Sequence, residues 1–588
     1  MNILVPTAVA LVGLAVAYRL YPRYIARVFQ EDDRHAVPSR RLADGVDYVP
    51  SRTHVVFGHH YATIAGAGPI VGPTLALAFG WQPVWLWVLL GGIFFGAVHD
   101  MSALFTSVRE QGKTIGEIAR RALGPAGYVL FVLVLIFVLT LINAIFLNLS
   151  ITALTSIYPL AALNLPPDQT LLGTVVDGGA VKAHIGGIAT TSVIVITACA
   201  PALGWLIRHE SLSTRAAYLL ALVVCVASIV LGFWLPVRVD GETWRYLMTA
   251  YVFLACALPL WFILQPRDFT NVQILYGGQL LLLVSVVIAG AGGVTIQAPA
   301  VATAEGAALM HGPMWPLLFI TVACGAISGF HSLVASGTTV KQLPKESDCR
   351  RVGYGAMVVE SFLAVLVIVA VASMLPRSEY LALVYPPDAQ ANPILGFAVA
   401  AGRLVHAALP IVPVAIAVVI GILMVEGFVV TTLDSSVRLC RYLLEEFWGF
   451  AFGGAVPAVF RSIYLNTGIA VGLMFFFSVS GTVRQMWPVF GAGNQLIGAL
   501  ALVTVSVWLA QRARQTLFAL VPALFMIATT IAALAVIARV NLAGVNTVLG
   551  VTAVGLFVLA IGVVIVGAGR FVQALQAEAP KPLVTVEP

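Results

Sequence analysis

Apolar runs of about twenty residues recur along almost the whole chain, separated by short polar stretches, and that length matches the hydrocarbon core of a bilayer. The pattern predicts helical spans over residues 1–18, 54–80, 84–107, 126–157, 187–207, 217–236, 247–265, 273–293, 315–338, 355–375, 410–434, 462–480, 487–510, 517–537 and 547–566. The chain therefore reads as an all-α polytopic membrane protein with about 15 transmembrane helices.

Charge tests this division independently. The protein has 588 residues, 60% of them hydrophobic and 10% charged, with 32 Lys and Arg against 26 Asp and Glu. Across alternate connections, 25 of the basic residues fall on one side and 7 on the other. The positive-inside rule then places 19–53, 109–121 and 341–351 in the cytoplasm and 164–182, 295–313 and 377–409 outside. The first span lacks a basic leading region and is followed by Arg19, Arg23 and Arg27, so it reads as a retained span with the N-terminus outside; the tail 571–588 is cytoplasmic. The basic surplus reports topology, and no patch suits nucleic acid. The six cysteines suggest neither a disulfide framework nor a Cys-x-x-Cys metal site.

Within the second span, Gly58-His59-His60-Tyr61 leads into Gly66-Ala67-Gly68-Pro69 and on to Gly72-Pro73. Glycines, prolines and imidazoles at membrane depth predict a broken helix, whose free N–H and carbonyl ends suit an anionic substrate and a coupling cation. Close helix packing through Gly68-x-x-x-Gly72 is the simpler reading, but it leaves His59-His60 unexplained. Five spans later, Pro259 and Gln265-Pro266-Arg267-Asp268 suggest a second break, at the spacing that a five-plus-five inverted repeat requires.

Other spans also carry polar groups. His99-Asp100 follows Gly91, Gly92 and Gly96 and forms a titratable pair; the plainer alternative pairs Asp100 with Arg109 at a helix end. Residues 315–338 hold Ser328, His331, Ser332 and Ser336, whose oxygens could meet a substrate or a cation. Glu426 is the most isolated carboxylate in the chain, whereas Glu360, near one end of its span, reads as able to reach the interface. Asn494-Gln495 read as hydrogen-bonding residues between helices. The motifs of ATPases, zinc proteases and serine hydrolases are missing, which points away from an enzyme.

The block from Phe57 to Pro73 resembles the signature of the carbon starvation protein A family, and so do His99-Asp100, Gly112-Lys113, Leu264 to Asp268, Ser328 to Ser332, Thr432-Leu433-Asp434 with Arg438, and Gly493 to Leu496. That resemblance covers roughly residues 50 to 510. It implies an inner-membrane carrier of pyruvate or peptides, with a five-plus-five core like that of the amino acid, polyamine and organocation carriers. The expected organisation is an N-terminal span and cytoplasmic segment over 1–53, the inverted-repeat core over 54–434, a four-span bundle over 435–570, and the short tail.

The resulting expectation is a secondary active transporter importing a small carboxylate such as pyruvate, or short peptides, with a proton as coupling ion and sodium as the alternative. Candidate substrate-binding residues are Gly58, His59, His60, Tyr61, Gly66, Gly68, Gln265, His331 and Ser332. His99, Asp100 and Glu426 are candidates for proton coupling, and Ser332 and Ser336 for a cation site. No cofactor is called for. The rival reading is a membrane-embedded metal site, catalytic or structural, built from His59, His60, His99, Asp100 and His331.

Overall fold

A backbone that cannot bond to water must bond to itself, so the apolar runs fold as helices. The computed structural model describes residues 1–44, 48–209, 213–259, 261–387 and 390–577. Among these, twelve helices are long and apolar enough to cross a membrane, and a thirteenth span is formed by Thr53–Ile64 and Gly68–Phe79, bent by 43° at the expected break. The first helix, Leu4–Val28, continues past the predicted end at residue 18 and takes in Arg19, Arg23 and Arg27.

The two remaining predicted spans take other forms. The helix Gly241–Ala257 stops before Pro259, and Leu258 is extended (φ −87°, ψ 157°), as the residue before a proline prefers. The next helix, Leu264–Ala291, begins inside what was read as the end of the earlier span. Gln265-Pro266-Arg267-Asp268 thus forms the start of a 28-residue helix, where a proline removes no needed hydrogen bond. Residues 315–338 are not one helix either. Met314–Thr321 and Phe330–Gly337 flank a non-helical stretch in which Gly325 adopts φ +82°, a conformation that L side chains avoid.

The chain divides into two compact units. One comprises Met1–Pro6, Leu139–Ala298 and Leu366–Arg484. It contains a small antiparallel sheet of β1 (Ile157–Pro159), β2 (Thr174–Asp177) and β3 (Ala180–His184), ordered β1-β3-β2, with Tyr158 opposite Ala183 and Val175 opposite Lys182. It also contains the buried helix Pro393–Ala408, within the 377–409 connection. The other comprises Thr7–Val138, Pro299–Val365 and Gln485–Pro588, and both helix breaks at 65–67 and 322–329 lie in it.

Candidate functional site

In the second unit the two breaks pack directly on one another. A Cβ on Gly68 would collide with the Cys324 side chain, and one on Gly72 would come within 2.7 Å of the Thr321 carbonyl oxygen, so both positions need the bare backbone of glycine. At the first break Ile70 and Val71 donate to Ala67 O, which starts the second half-helix, and the leading N–H of that half has no partner within its own helix. At the second break, neighbouring side chains satisfy the loose backbone. Trp487 Nε1 donates to Thr321 O at 3.0 Å, and Asn494 Oδ1 accepts from Phe330 N at 3.0 Å. Asn494 Nδ2 donates to Ser328 Oγ at 3.1 Å, and Glu360 Oε1 accepts from Gly325 N at 3.1 Å.

Four titratable side chains meet at these breaks, all fully buried. Asp100 Oδ1 lies 2.7 Å from His99 Nδ1, and Asp100 Oδ2 lies 2.8 Å from His331 Nδ1. The far nitrogen of the second ring, His331 Nε2, faces Glu360 Oε2 at 3.4 Å. An ionised Asp100 can only accept, so it fixes Nδ1–H on each ring and leaves His331 Nε2 as the atom that gains or loses a proton against Glu360. The helix ahead of His99 contains a π-helical turn, Gly92–Gly96, and a Cβ on Gly96 would lie 2.5 Å from Ala326 O, so the glycines bring this helix against the second break.

Arg109 is not the partner of Asp100. It pairs with Glu346 at 2.6 Å and donates to the carbonyls of Phe29 and Gln30.

His60 is buried and its Nδ1 lies 2.8 Å from Thr339 Oγ1, whereas His59 beside it is half-buried. Tyr61 is buried and stacks on Phe57 with ring centroids 6.2 Å apart; Gly58 is half-buried, and Gly66 and Gly68 are buried at the break. Ser332 and Ser336 donate to their own helix, to Gly329 O and Ser332 O, both at 2.7 Å, and Ser336 Oγ also accepts from Ile115 N.

Gln265 and Glu426 belong to the first unit, where Gln265 is exposed and Glu426 fully buried. Neither carboxylate oxygen of Glu426 has a hydrogen-bond partner among the described residues. Close by in that unit, Arg267 pairs with Asp434 at 2.7 Å and bonds to Tyr251, which itself donates to Asp434 at 2.9 Å. Arg438 donates to Ala255 O and Leu258 O, satisfying the carbonyls where the chain breaks before Pro259.

Sequence reasoning underrated Glu360. Its place near a span end suggested an escape to the interface, yet it is walled in beside His331. The signal available was a carboxylate with no basic residue in its own span. Of the predicted metal ligands, only His331 belongs to the group close enough to share an ion among the described residues, and its companions are Cys324 and Glu360.

Comparison with known proteins agrees with this picture of a polytopic carrier. The profile described as "Carbon starvation protein CstA" matches residues 2–391 and 387–533. "Peptide transporter CstA" of Bacillus subtilis (strain 168) is 30% identical over 556 residues, spanning 88% of this chain and 87% of the relative. "Pyruvate/proton symporter BtsT" of Escherichia coli (strain K12) is 29% identical over 599 residues, spanning 88% and 79%. Among solved structures, a manganese transporter mutant of Eremococcus coleocola aligns over 91% of this chain and 99% of its own at 10% identity, with a TM-score of 0.43, a likeness too distant to carry an argument. A family match along most of the chain, joined to relatives that are transporters, makes this multi-pass membrane protein a transporter and not an enzyme, and a member of the carbon starvation protein CstA family.

Proposed function

We propose that the protein is a proton symporter that imports a small carboxylate, pyruvate or a short peptide, across the inner membrane, with its N-terminus outside and its C-terminus in the cytoplasm. The observation that carries the proposal is the buried series His99–Asp100–His331–Glu360 at two facing helix breaks. Buried ionisable groups at membrane depth are costly unless they work, and a chain of imidazoles and carboxylates is suited to loading and releasing a proton. The similarity to a relative named as a pyruvate/proton symporter and to others named as peptide transporters supports the same reading.

In this reading the substrate carboxylate sits against the leading N–H of the half-helix that begins at Gly68, beside Gly66, with Gly58, His59, His60, Tyr61, His331 and Ser332 around it. His331 shares its proton with Glu360 while Asp100 and His99 hold the ring. Glu426, in the first unit, is a second proton carrier in this reading. Sodium is the alternative ion, with Ser332 and Ser336 as its oxygens.

The deciding experiment is uptake of labelled pyruvate and of labelled dipeptides into proteoliposomes under separately imposed proton and sodium gradients. Accumulation that follows the proton gradient and collapses with a protonophore is expected; accumulation that follows sodium at fixed pH refutes the proton assignment. Orientation is read from impermeant thiol labelling, with single cysteines in 164–182 reacting from outside and those in 341–351 protected. The reverse pattern overturns the topology.

A further inference from the structure

Cys324, His331 and Glu360 each offer a ligand atom within 4.8 Å of the other two. Cys324 is 9% exposed and the other two are fully buried. The three belong to one unit, at the second helix break and the helix beside it. Two of the donor atoms, His331 Nε2 and Glu360 Oε2, have no hydrogen-bond partner among the described residues although both are buried. Buried polar atoms are ordinarily satisfied, and these two meet as an ion-pair contact at 3.4 Å without a hydrogen bond between them, which leaves both able to take a shared ligand.

The spacing suits a metal ion. Ligands at about 2.0 Å from a tetrahedral centre stand roughly 3.3 Å apart, and His331 Nε2 and Glu360 Oε2 are separated by 3.4 Å. The outer arrangement suits one too. Asp100 holds His331 through Nδ1, the orientation by which a carboxylate commonly directs an imidazole at a metal through its other nitrogen. Glu360 is steadied through its second oxygen by Gly325 N–H, and Asn494 Nδ2 points at the Cys324 sulfur at 3.7 Å, where it would donate to a thiolate. Sulfur, imidazole and carboxylate together favour a borderline ion of the zinc type over magnesium or calcium, which take oxygen ligands. With three protein ligands the fourth position stays open.

We infer that Cys324, His331 and Glu360 form a binding site for a zinc-type divalent ion, which occupies the same two atoms that the proton reading uses and so holds the carrier with its proton site filled. Binding converts the Cys324 thiol to thiolate, and the proton leaves to solvent. The inference rests on the His331–Glu360 pair of that reading, but its test needs no transport.

Purified full-length protein in detergent is titrated with Co²⁺, and the near-ultraviolet thiolate charge-transfer band is followed, then chased with Zn²⁺. The expected result is one ion per chain, a band retained when Cys324 is the sole remaining cysteine and lost in Cys324→Ser, and affinity lowered about 10- to 100-fold in Asp100→Asn. No thiolate band in the wild-type chain, or a band unchanged in Cys324→Ser, overturns the site. If the variant with five cysteines replaced does not fold, the comparison of wild type with Cys324→Ser decides alone. Failure here leaves proton-driven uptake untouched, and failure of proton-driven uptake leaves this binding measurement intact.

Discussion

His331 Nδ1 lies 2.8 Å from Asp100 Oδ2, although the two residues are 231 positions apart in the chain. The contact links the helix that follows the π-helical turn to the half-helix that follows the second break, and it leaves His331 Nε2 free to face Glu360. Asp100→Asn and Glu360→Gln are therefore expected to abolish uphill accumulation while substrate exchange in counterflow persists, because the first removes the carboxylate that orients His331 and the second removes its proton partner, and neither fills the substrate site. Glu426→Gln tests the carboxylate of the first unit in the same way. Counterflow lost together with accumulation in all three variants would contradict a coupling role.

At the first break, His59→Ala and His60→Ala are expected to eliminate transport while the protein still inserts and purifies. Gly66→Leu should act likewise by filling the space beside the backbone. Gly68→Ala should be disruptive already, since its new methyl group meets Cys324. Uptake at wild-type affinity and rate in both His variants would make those imidazoles structural.

Asn494 closes the second break, so Asn494→Leu strands the Phe330 N–H in an apolar setting and should cost about 1–3 kcal/mol. Asn494→Asp keeps an acceptor oxygen and should cost less. Melting of the detergent-solubilised protein separates the two, and equal losses would mean the cap contributes nothing.

Arg109 and Glu346 form a buried ion pair, 2% and 0% exposed. Removing one charge strands the other, so Glu346→Gln should destabilise by about 3–5 kcal/mol, whereas the apolar double variant Arg109→Met with Glu346→Leu should recover much of the loss. An additive double variant would show that the pair is not coupled.

In the first unit Glu379 binds Arg403 at 2.6 and 2.9 Å and accepts from the Tyr158 hydroxyl. Burial pushes the Glu379 carboxyl upward, but its bonds to Arg403 and Tyr158 outweigh this and hold it below the usual carboxylate range. A depressed folded value means stability that is present above the unfolded value of about 4.3 and lost as pH falls through the folded one. Glu379→Gln should therefore melt lower than the wild type at pH 7, with the gap closing below about pH 4. A gap constant with pH would place the effect in packing.

The membrane class was legible in the sequence because burial in lipid is a local, additive property: a run of about twenty apolar residues is a span whatever lies beside it. The first break was legible for a related reason, since Gly66 and Gly68 free the backbone, and Pro69 and Pro73 restrict it, each at its own position. His99-Asp100, His331 and Glu426 stood out because each is polar where its neighbours are not. What each of them faces was not legible. Helical periodicity gives the face a residue occupies and says nothing of the helix opposite, so Asp100 could be read against His99 or against Arg109, Glu360 seemed free to reach the interface, and Cys324 was one small apolar residue among many. Tertiary packing decided these, through glycines that admit close backbone approach and through the need to satisfy the N–H and carbonyl groups that two broken helices release: Glu360 takes the Gly325 N–H, Asn494 takes that of Phe330, and His331 is left between two carboxylates that the sequence keeps far apart.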